Sequence, residues 1–532
     1  MTDPPQKKQR VPRYTIEISA NDYPKEAMYD KIHTIRRHLE KNKPEKVTNG
    51  EILDLALSRF IDTNCIENET NNIDTNVFIS KDKTEDEQLF ITAKMSLEKC
   101  IEIANHHGQV CPRPLGIHKI IQRGHVVSTI LRCRDHHRYR WSSSPYIEQS
   151  TNYLVNLRIL HGFTMSGMLF SHYERFTSAS GIGIVSYHRK EQFSVEYKKA
   201  INEEYQHSIE KACLAEMELK AGQPDKKVPI DILTDARHGW RKNAKDTTVV
   251  AIGDLTHKVI ANEHVTRSDD PVAQRHELLG SKRIHDGFQN KDIQIGIWAH
   301  DFNASINKYV KDLPAPTINQ NETWHAMKNV KNCVSKVANG PKYKHETVWH
   351  RELMDKVDPV STHFQYAMRS CDKNPKKLIE KLDNIISHYE NDHERCPNES
   401  RCRTDPNYQP SRELLTQDCS KDLLRKSIKE TVVYKNPANF CHAKDTFYVE
   451  SFNNTLLIFM DKRVAFGDAE YMARSQLGTL HWNENVDRGS TSVYRRHGRR
   501  QKKRNLVRPT YHYYGKVWEC FVNRHLHNVF LD

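Results

Sequence analysis

The chain has 532 residues and carries 81 lysines and arginines against 68 aspartates and glutamates, a formal charge of +13. That length accommodates several domains, and the basic excess favours a polyanionic partner over an acidic or neutral one. No run of eighteen apolar residues occurs, so no membrane-spanning helix is expected.

The first thirteen residues, MTDPPQKKQRVPR, place Lys7, Lys8, Arg10 and Arg13 beside prolines with no apolar run behind them. A secretory signal is therefore not expected, and the segment reads as a basic arm, either a nuclear-import and phosphate-contacting element or a solvated tail. Without a secretory route the twelve cysteines are expected as thiols or metal ligands.

Residues 14–63 predict a strand and two helices. Tyr14, Ile16 and Ile18 alternate with polar residues, and Met28, Ile32, Ile35 and Leu39 then recur at helical spacing. After Pro44 a second apolar face follows at Ile52, Leu53, Leu55, Ala56, Phe60 and Ile61. This order resembles a ribbon-helix-helix DNA-binding module, in which Arg13, Thr15 and Glu17 would face the bases; a plain helical dimerisation unit is the alternative. Residues 64–87, rich in Asn, Asp, Glu and Thr, read as a linker.

Residues 88–147 predict a small β-rich module. Cys133, His136 and His137 look like half of a zinc ribbon, but the rest of the module offers only Cys111 with Cys100 or His106/His107. The missing Cys-x-x-Cys pair favours buried thiols over a metal site. Residues 148–221 predict three helices, over 152–161, 165–176 and 192–220, as a helix-turn-helix or as packing beside a core.

Residues 222–305 predict a sheet. An apolar run over 228–233 leads to Asp235, strands over 247–252 and 258–265 form a hairpin, and a polar helical stretch precedes a strand over 291–298 that leads to Asp301. Strand–acid, hairpin, connection, strand–acid is the pattern of an RNase H-like sheet, in which two carboxylates leave neighbouring strand ends. Residues 306–440 predict a helical insertion. Within it His388, His393, Cys396 and Cys402 supply the neutral nitrogens and thiolates of a tetrahedral Zn²⁺ site. Residues 441–489 return to the core, with a helix beginning at Glu450 and another over 468–480. The segment 490–532 reads as a basic tail, whose block Arg495, Arg496, Arg499, Arg500, Lys502, Lys503 and Arg504 suits phosphate contact or nuclear import. Residues 511–530 are expected to dock as a strand. The fold class is thus α/β multidomain: a mixed sheet with a large helical insertion, a strand-helix-helix module before it and a small β-rich and helical domain between them.

Five motifs carry a family resemblance: Asp235-Ala236-Arg237, Trp324-His325, the His/Cys cluster, Glu450 with Asn454, and His481-Trp482-Asn483-Glu484-Asn485. Together they resemble the DDE-type transposases of eukaryotic DNA transposons and the animal proteins derived from them, over residues 130–490. The resemblance implies a nuclear enzyme that cleaves double-stranded DNA and transfers strands. Asp235, Asp301 and Glu450 would hold two Mg²⁺ or Mn²⁺ ions, with structural Zn²⁺ in the insertion and a dimer or larger assembly. Glu322 stands before Trp324-His325 where the family has an aspartate, so it is a supporting group or a rival for the third acid. Arg237, His238, His300 and His325 lie close enough in sequence to hold a phosphate or orient water, and Asn454 is a further supporting group. A host-adopted DNA binder without activity, and a zinc-stabilised scaffold, are the competing readings.

Overall fold

The computed structural model describes residues 88–532 except 149, 223–227, 240–243, 315, 340–347, 496–501 and 528–532. The expected arm, strand-helix-helix module and linker, with Arg13, Thr15 and Glu17, lie outside the described residues, as do Arg496, Arg499 and Arg500.

The first element is a helix, α1 (Lys94–Val110), where only strand-like runs were expected. It precedes a three-stranded antiparallel sheet in the order β1 (Gly116–Arg123), β2 (Val126–Arg132), β3 (Arg138–Ser142). Three helices follow, α2 (Leu154–Met165), α3 (Phe170–Ala179) and α4 (Tyr187–Ala221). Ser186 caps α4 by accepting from Arg189 N, and Gly222 ends it at a left-handed φ of 64°.

The main sheet has five strands: β4 (Ile230–His238), β5 (Asp246–Gly253), β6 (Val259–Thr266), β7 (Ile295–His300) and β8 (Ile318–Asn321). Their spatial order is β6-β5-β4-β7-β8, antiparallel from β6 to β4 and parallel from β4 to β8. Helix α5 (Ala273–Asn290) occupies the polar stretch expected to be helical, and α6 (Ala304–Lys311) connects β7 to β8. Strand β8 corrects the sequence reading, which assigned its residues to the insertion; four residues are too few for a period-two pattern to register.

Both faces of this sheet are buried, so its strands read as continuous apolar runs. Ile232, Val249, Ala251 and Trp298 face a cluster completed by Ile284, Phe288, Ile306 and Val310 of α5 and α6. Their neighbours Leu233, Val250, Ile252 and Ala299 face the other way, onto Tyr205 and Ile209 of α4 and onto Val449, Phe452 and Tyr471 from later helices. Gly280 permits the close seat of α5, because a Cβ there would stand 2.4 Å from Val249 Cγ2.

The insertion after β8 comprises α7 (Thr323–Ala338), α8 (Val357–Ser370), α9 (Pro375–Tyr389), the single turn α10 (Arg401–Thr404), α11 (Asp418–Glu430) and α12 (Val432–Lys435). It has its own core around Val330, Phe364, Leu382, Leu424 and Phe440. The chain returns through α13 (Phe447–Thr455) and α14 (Asp468–Asn485), both packed on the sheet. The helix expected to begin at Glu450 begins at Phe447, so Glu450 lies in its first turn.

After α14 the expected tail is ordered instead as a hairpin, β9 (Ser490–Arg495) and β10 (Lys502–Leu506), and a helix, α15 (His512–His527). The strand expected over 511–530 is thereby corrected. Tyr513, Val517 and Phe521, spaced by four, are all buried, and helical spacing prevails over the apparent aromatic–polar alternation. Glu484 caps this helix, accepting from His512 N at 2.8 Å and Tyr513 N at 2.9 Å. No described helix is long and apolar enough to cross a membrane.

Candidate active site

The register of the parallel strands lines up three acids. Thr234 of β4 pairs with His300 of β7, and His300 pairs with Asn321 of β8. Asp235 is the next residue of β4, and Asp301 and Glu322 directly follow the last residues of β7 and β8. The three acids thus leave the paired ends of neighbouring parallel strands, with Asp301 acting electrostatically on Asp235 and lying within 4.8 Å of Glu322 by donor atoms. Asp235 lies within β4, which continues to His238 as the partner of β5, rather than beyond the strand end as expected.

Across from β4, helix α13 brings its first turn to these acids. Asn453 donates its Nδ2 to Asp235 Oδ2 at 2.9 Å, and Glu450 one turn earlier adds its charge to the surroundings of Asp235. The amide that meets the site is therefore Asn453; Asn454, the expected one, is exposed. Burial, reinforced by Asp301, Glu277 and Glu450, pushes the Asp235 carboxyl up to about 7.

Glu277 of α5 was missed in the sequence reading. It receives a hydrogen bond from Asn303 Nδ2 at 2.8 Å, and burial, with Asp301 adding, raises its carboxyl above the usual range. The signal available was one of two acids, with Asp286, in a polar helix, which nothing distinguishes from a solvated face.

On the other flank Glu322 caps α7, accepting from Trp324 N at 2.7 Å and His325 N at 2.6 Å. It also meets His325 Nδ1 at 2.9 Å, and that nitrogen stands 3.5 Å from Asp301 Oδ1. Burial raises the Glu322 carboxyl, against the lowering effect of those two backbone bonds. Asp301, Glu322 and His325 converge with donor atoms all within 4.8 Å of one another, whereas Asp235, Asp301 and Glu450 form a wider set.

The other flanking residues face elsewhere. Arg237 is buried and donates to Met460 O at 3.0 Å, which ties β4 to the segment after α13. His238 bonds Thr247 Oγ1 at 2.9 Å, and His300 is buried between Asn319 Oδ1 and the Asp301 carbonyl. Of the four flanking groups expected to reach a phosphate, only His325 lies at the acids. Among the described residues, no lysine or arginine forms an ion pair with Asp235, Glu277, Asp301 or Glu450.

In the insertion the expected His/Cys set does assemble. His388 lies in the last turn of α9, and the segment behind it brings His393 and Cys396 of the loop and Cys402 of α10 to within 4.8 Å of one another and of His388. Cys396 Sγ lies 3.5 Å from His388 Nδ1 and 3.8 Å from His393 Nδ1. These spacings match the roughly 3.3–3.8 Å that separate neighbouring ligands of tetrahedral zinc. Burial, with the His393 and His363 rings adding, lowers His388 to about 4, so this ring is neutral at neutral pH and able to ligate. Arg403 fastens the loop by donating to Glu394 O at 2.8 Å and Cys396 O at 3.1 Å.

Of the basic block, Arg495, Lys502 and Lys503 lie in the β9–β10 hairpin and Arg504 is exposed on β10. The His481-Trp482-Asn483-Glu484-Asn485 motif is structural. Asn483 brackets Val259 of the edge strand β6, donating to its carbonyl at 2.9 Å and accepting from its N–H at 2.7 Å, while Asn485 and Glu484 hold the approach to α15. No protein-family model and no curated protein sequence matches the chain.

Proposed function

We propose that the chain is a DDE-type transposase, or a recent derivative of one, that cleaves DNA and transfers strands by metal-dependent phosphoryl transfer on an RNase H-like core. The observation that carries this reading is that Asp235, Asp301 and Glu322 each directly follow register-paired residues of β4, β7 and β8, with Glu450 and Glu277 brought near them from opposite faces. Carboxylates gathered with no lysine or arginine partner among the described residues carry charge that a divalent cation neutralises. The strand order, an antiparallel hairpin pair continued by two parallel strands with acids at the parallel ends, supports the same reading.

The residues fit Mg²⁺ or Mn²⁺, since hard cations take carboxylate oxygens. Asp235, Asp301 and Glu450 would hold the ions. Buried Asn453 Oδ1, which has no hydrogen-bond partner, is a further oxygen donor beside them. Such ions supply Lewis-acid activation of water or a DNA 3′-hydroxyl and relieve charge on the departing oxygen. The chain's own residues set the geometry: Asn453 orients the Asp235 carboxylate, and Glu322 fixes the ring of His325 next to Asp301. From that position His325 can accept a proton from the attacking hydroxyl or hydrogen-bond the scissile phosphate. The His388/His393/Cys396/Cys402 set takes one structural Zn²⁺ that closes the loop after α9. Double-stranded DNA as the partner, a dimer or larger assembly and a nuclear location belong to the same proposal, supported by the +13 charge and the basic hairpin.

The test is cleavage of labelled flanking DNA by purified protein with Mn²⁺ or Mg²⁺, beside Asp301→Ala, Glu450→Gln and Glu322→Gln. Metal-dependent nicking lost in Asp301→Ala and Glu450→Gln, and only weakened in Glu322→Gln, supports the assignment. Loss in Glu322→Gln with retention in Glu450→Gln moves the third acid to β8. Salt-sensitive DNA binding without cleavage by the unmodified protein establishes the alternative, an adopted DNA binder with no catalytic activity.

A further inference from the structure

Helix α1 is poorly anchored by its apolar residues. Met95, Leu97, Ile101 and Val110 are all exposed, and the residues it buries are Ser96 and His107. Its N-terminal end is tied to β3 by Trp141 Nε1 donating to Ser96 O at 2.6 Å. The apolar core of this module is thin, centred on Val126, Tyr153 and Val155, and β1 is exposed along nearly its whole length. Small β-rich modules with so little core are held by a disulfide or a metal.

The C-terminal end of α1 meets the β2–β3 turn through four side chains. His107 lies in the last turn of α1 and Cys111 caps it in an extended conformation, the Cys111 N–H donating to His107 O at 2.8 Å. Cys133 and His137 flank the turn beyond the last strand pair, Arg132 with Arg138. Their backbones close that turn, Cys133 N donating to His137 O at 3.2 Å and His136 N to Cys133 O at 3.2 Å. His136 turns the chain at a φ of 66°. As a result Cys133 Sγ lies 3.5 Å from His137 Nδ1, and the donor atoms of all four residues fall within 4.8 Å of one another. His107 is 3% exposed, and its Nε2 is buried with no hydrogen-bond partner. A buried imidazole nitrogen left unpaired is costly unless something absent from the chain itself satisfies it.

We infer that His107, Cys111, Cys133 and His137 form a second structural Zn²⁺ site, which fastens the C-terminus of α1 to the β2–β3 hairpin. The donor set is the Cys₂His₂ combination that zinc prefers, and the 3.5 Å separation suits neighbouring corners of its tetrahedron. Binding displaces the two thiol protons to solvent and leaves both imidazoles neutral. The sequence left His136 and His137 both open at the turn and offered Cys100, His106 or His107 beside Cys111; the inference takes His137 at the turn and His107 with Cys111 at the helix end, with His136 and Cys100 outside the group.

The test is zinc content per chain of the full-length protein, measured after gel filtration in reducing buffer, with cobalt substitution as a second readout. Two equivalents are expected, falling to one in Cys133→Ser or Cys111→Ser and independently to one in Cys402→Ser. If the insertion site is wrong, the unmodified protein holds one equivalent and Cys133→Ser holds none, so the two assignments fail separately. His137→Cys guards against simple misfolding: it keeps the equivalent and shifts the Co²⁺ spectrum toward a three-thiolate set. Zinc content unchanged in both Cys111→Ser and Cys133→Ser overturns the inference. So does an unaltered cobalt spectrum in His137→Cys, or a Cys111–Cys133 disulfide in the protein as isolated.

Discussion

Replacing Asp235 by asparagine is expected to abolish DNA cleavage and, in the absence of divalent metal, to stabilise the fold. The carboxyl stands at about 7 in the folded chain against an ordinary 3.8. A raised acid value means that between about pH 4 and 7 the folded chain keeps a proton the unfolded chain has released. Stability therefore falls as pH rises through that window, and the full loss stands above pH 7. About three units at ~1.4 kcal/mol each sets an upper bound of ~4 kcal/mol, and partial solvation reduces the expected gain to about 1–3 kcal/mol. Asparagine keeps an acceptor for Asn453 Nδ2 and removes the charge that burial and the neighbouring acids disfavour. Urea unfolding followed by circular dichroism at pH 8 with EDTA should give Asp235→Asn the higher midpoint, and the difference should close below pH 4. Mg²⁺ or Mn²⁺ should then stabilise the unmodified protein and leave the variant unmoved. A variant equal to or less stable than the parent at pH 8 in chelator would refute the charge argument.

Glu216→Ala should destabilise by about 2–4 kcal/mol in chemical denaturation, since its buried carboxylate accepts from Leu255 N, Thr256 N and Thr256 Oγ1 at 2.7–2.9 Å. Glu484→Ala should cost about 1–2 kcal/mol and should raise amide exchange first over 512–516, where it caps α15. Cys396→Ser should remove one zinc equivalent and lower the melting temperature without displacing the acids on the main sheet, because its contacts lie within the insertion. Trp298→Ala should destabilise by about 3–5 kcal/mol, read by calorimetry, since this side chain is fully buried and bonds Thr234 Oγ1 at 2.8 Å.

Where hydrophobic periodicity alone determines an element, the sequence was readable: β4 to β7 lie within a few residues of their expected positions, and α5 fills the polar connection. Asp235 and Asp301 stand out in the sequence because acids following apolar strands interrupt a run that otherwise favours burial. What escaped depends on register or on contacts distant in sequence. Strand β8 is too short to show a period, yet its pairing with β7 is what places Glu322 beside Asp301. Glu277 and Asn453 become site residues only through the packing of α5 and α13 on opposite faces of the sheet. The choice of Asn453 over Asn454 turns on one residue of helix phase, about 100° of rotation. The sequence offers no Cys-x-x-Cys pair to match Cys133 and His137; that His107 and Cys111 come to them depends on how the end of α1 meets the β2–β3 turn, which spacing alone does not show.

Helix α4, with its 35 residues, is a rod of about 50 Å. Phe193, Tyr197 and Ile201 enter the cluster shared with α14 and α15, Tyr205 and Ile209 support the sheet face beneath α13, and Cys213 reaches the cluster on the far face. A single element that contributes to three cores couples their unfolding free energies. Fraying one end strips contacts from the C-terminal helix, while fraying the other uncovers the turn that Glu216 holds between β5 and β6. The sheet, its acids and the C-terminal helix should consequently gain and lose structure as one cooperative unit, with the insertion, which has a core of its own, free to open at lower cost.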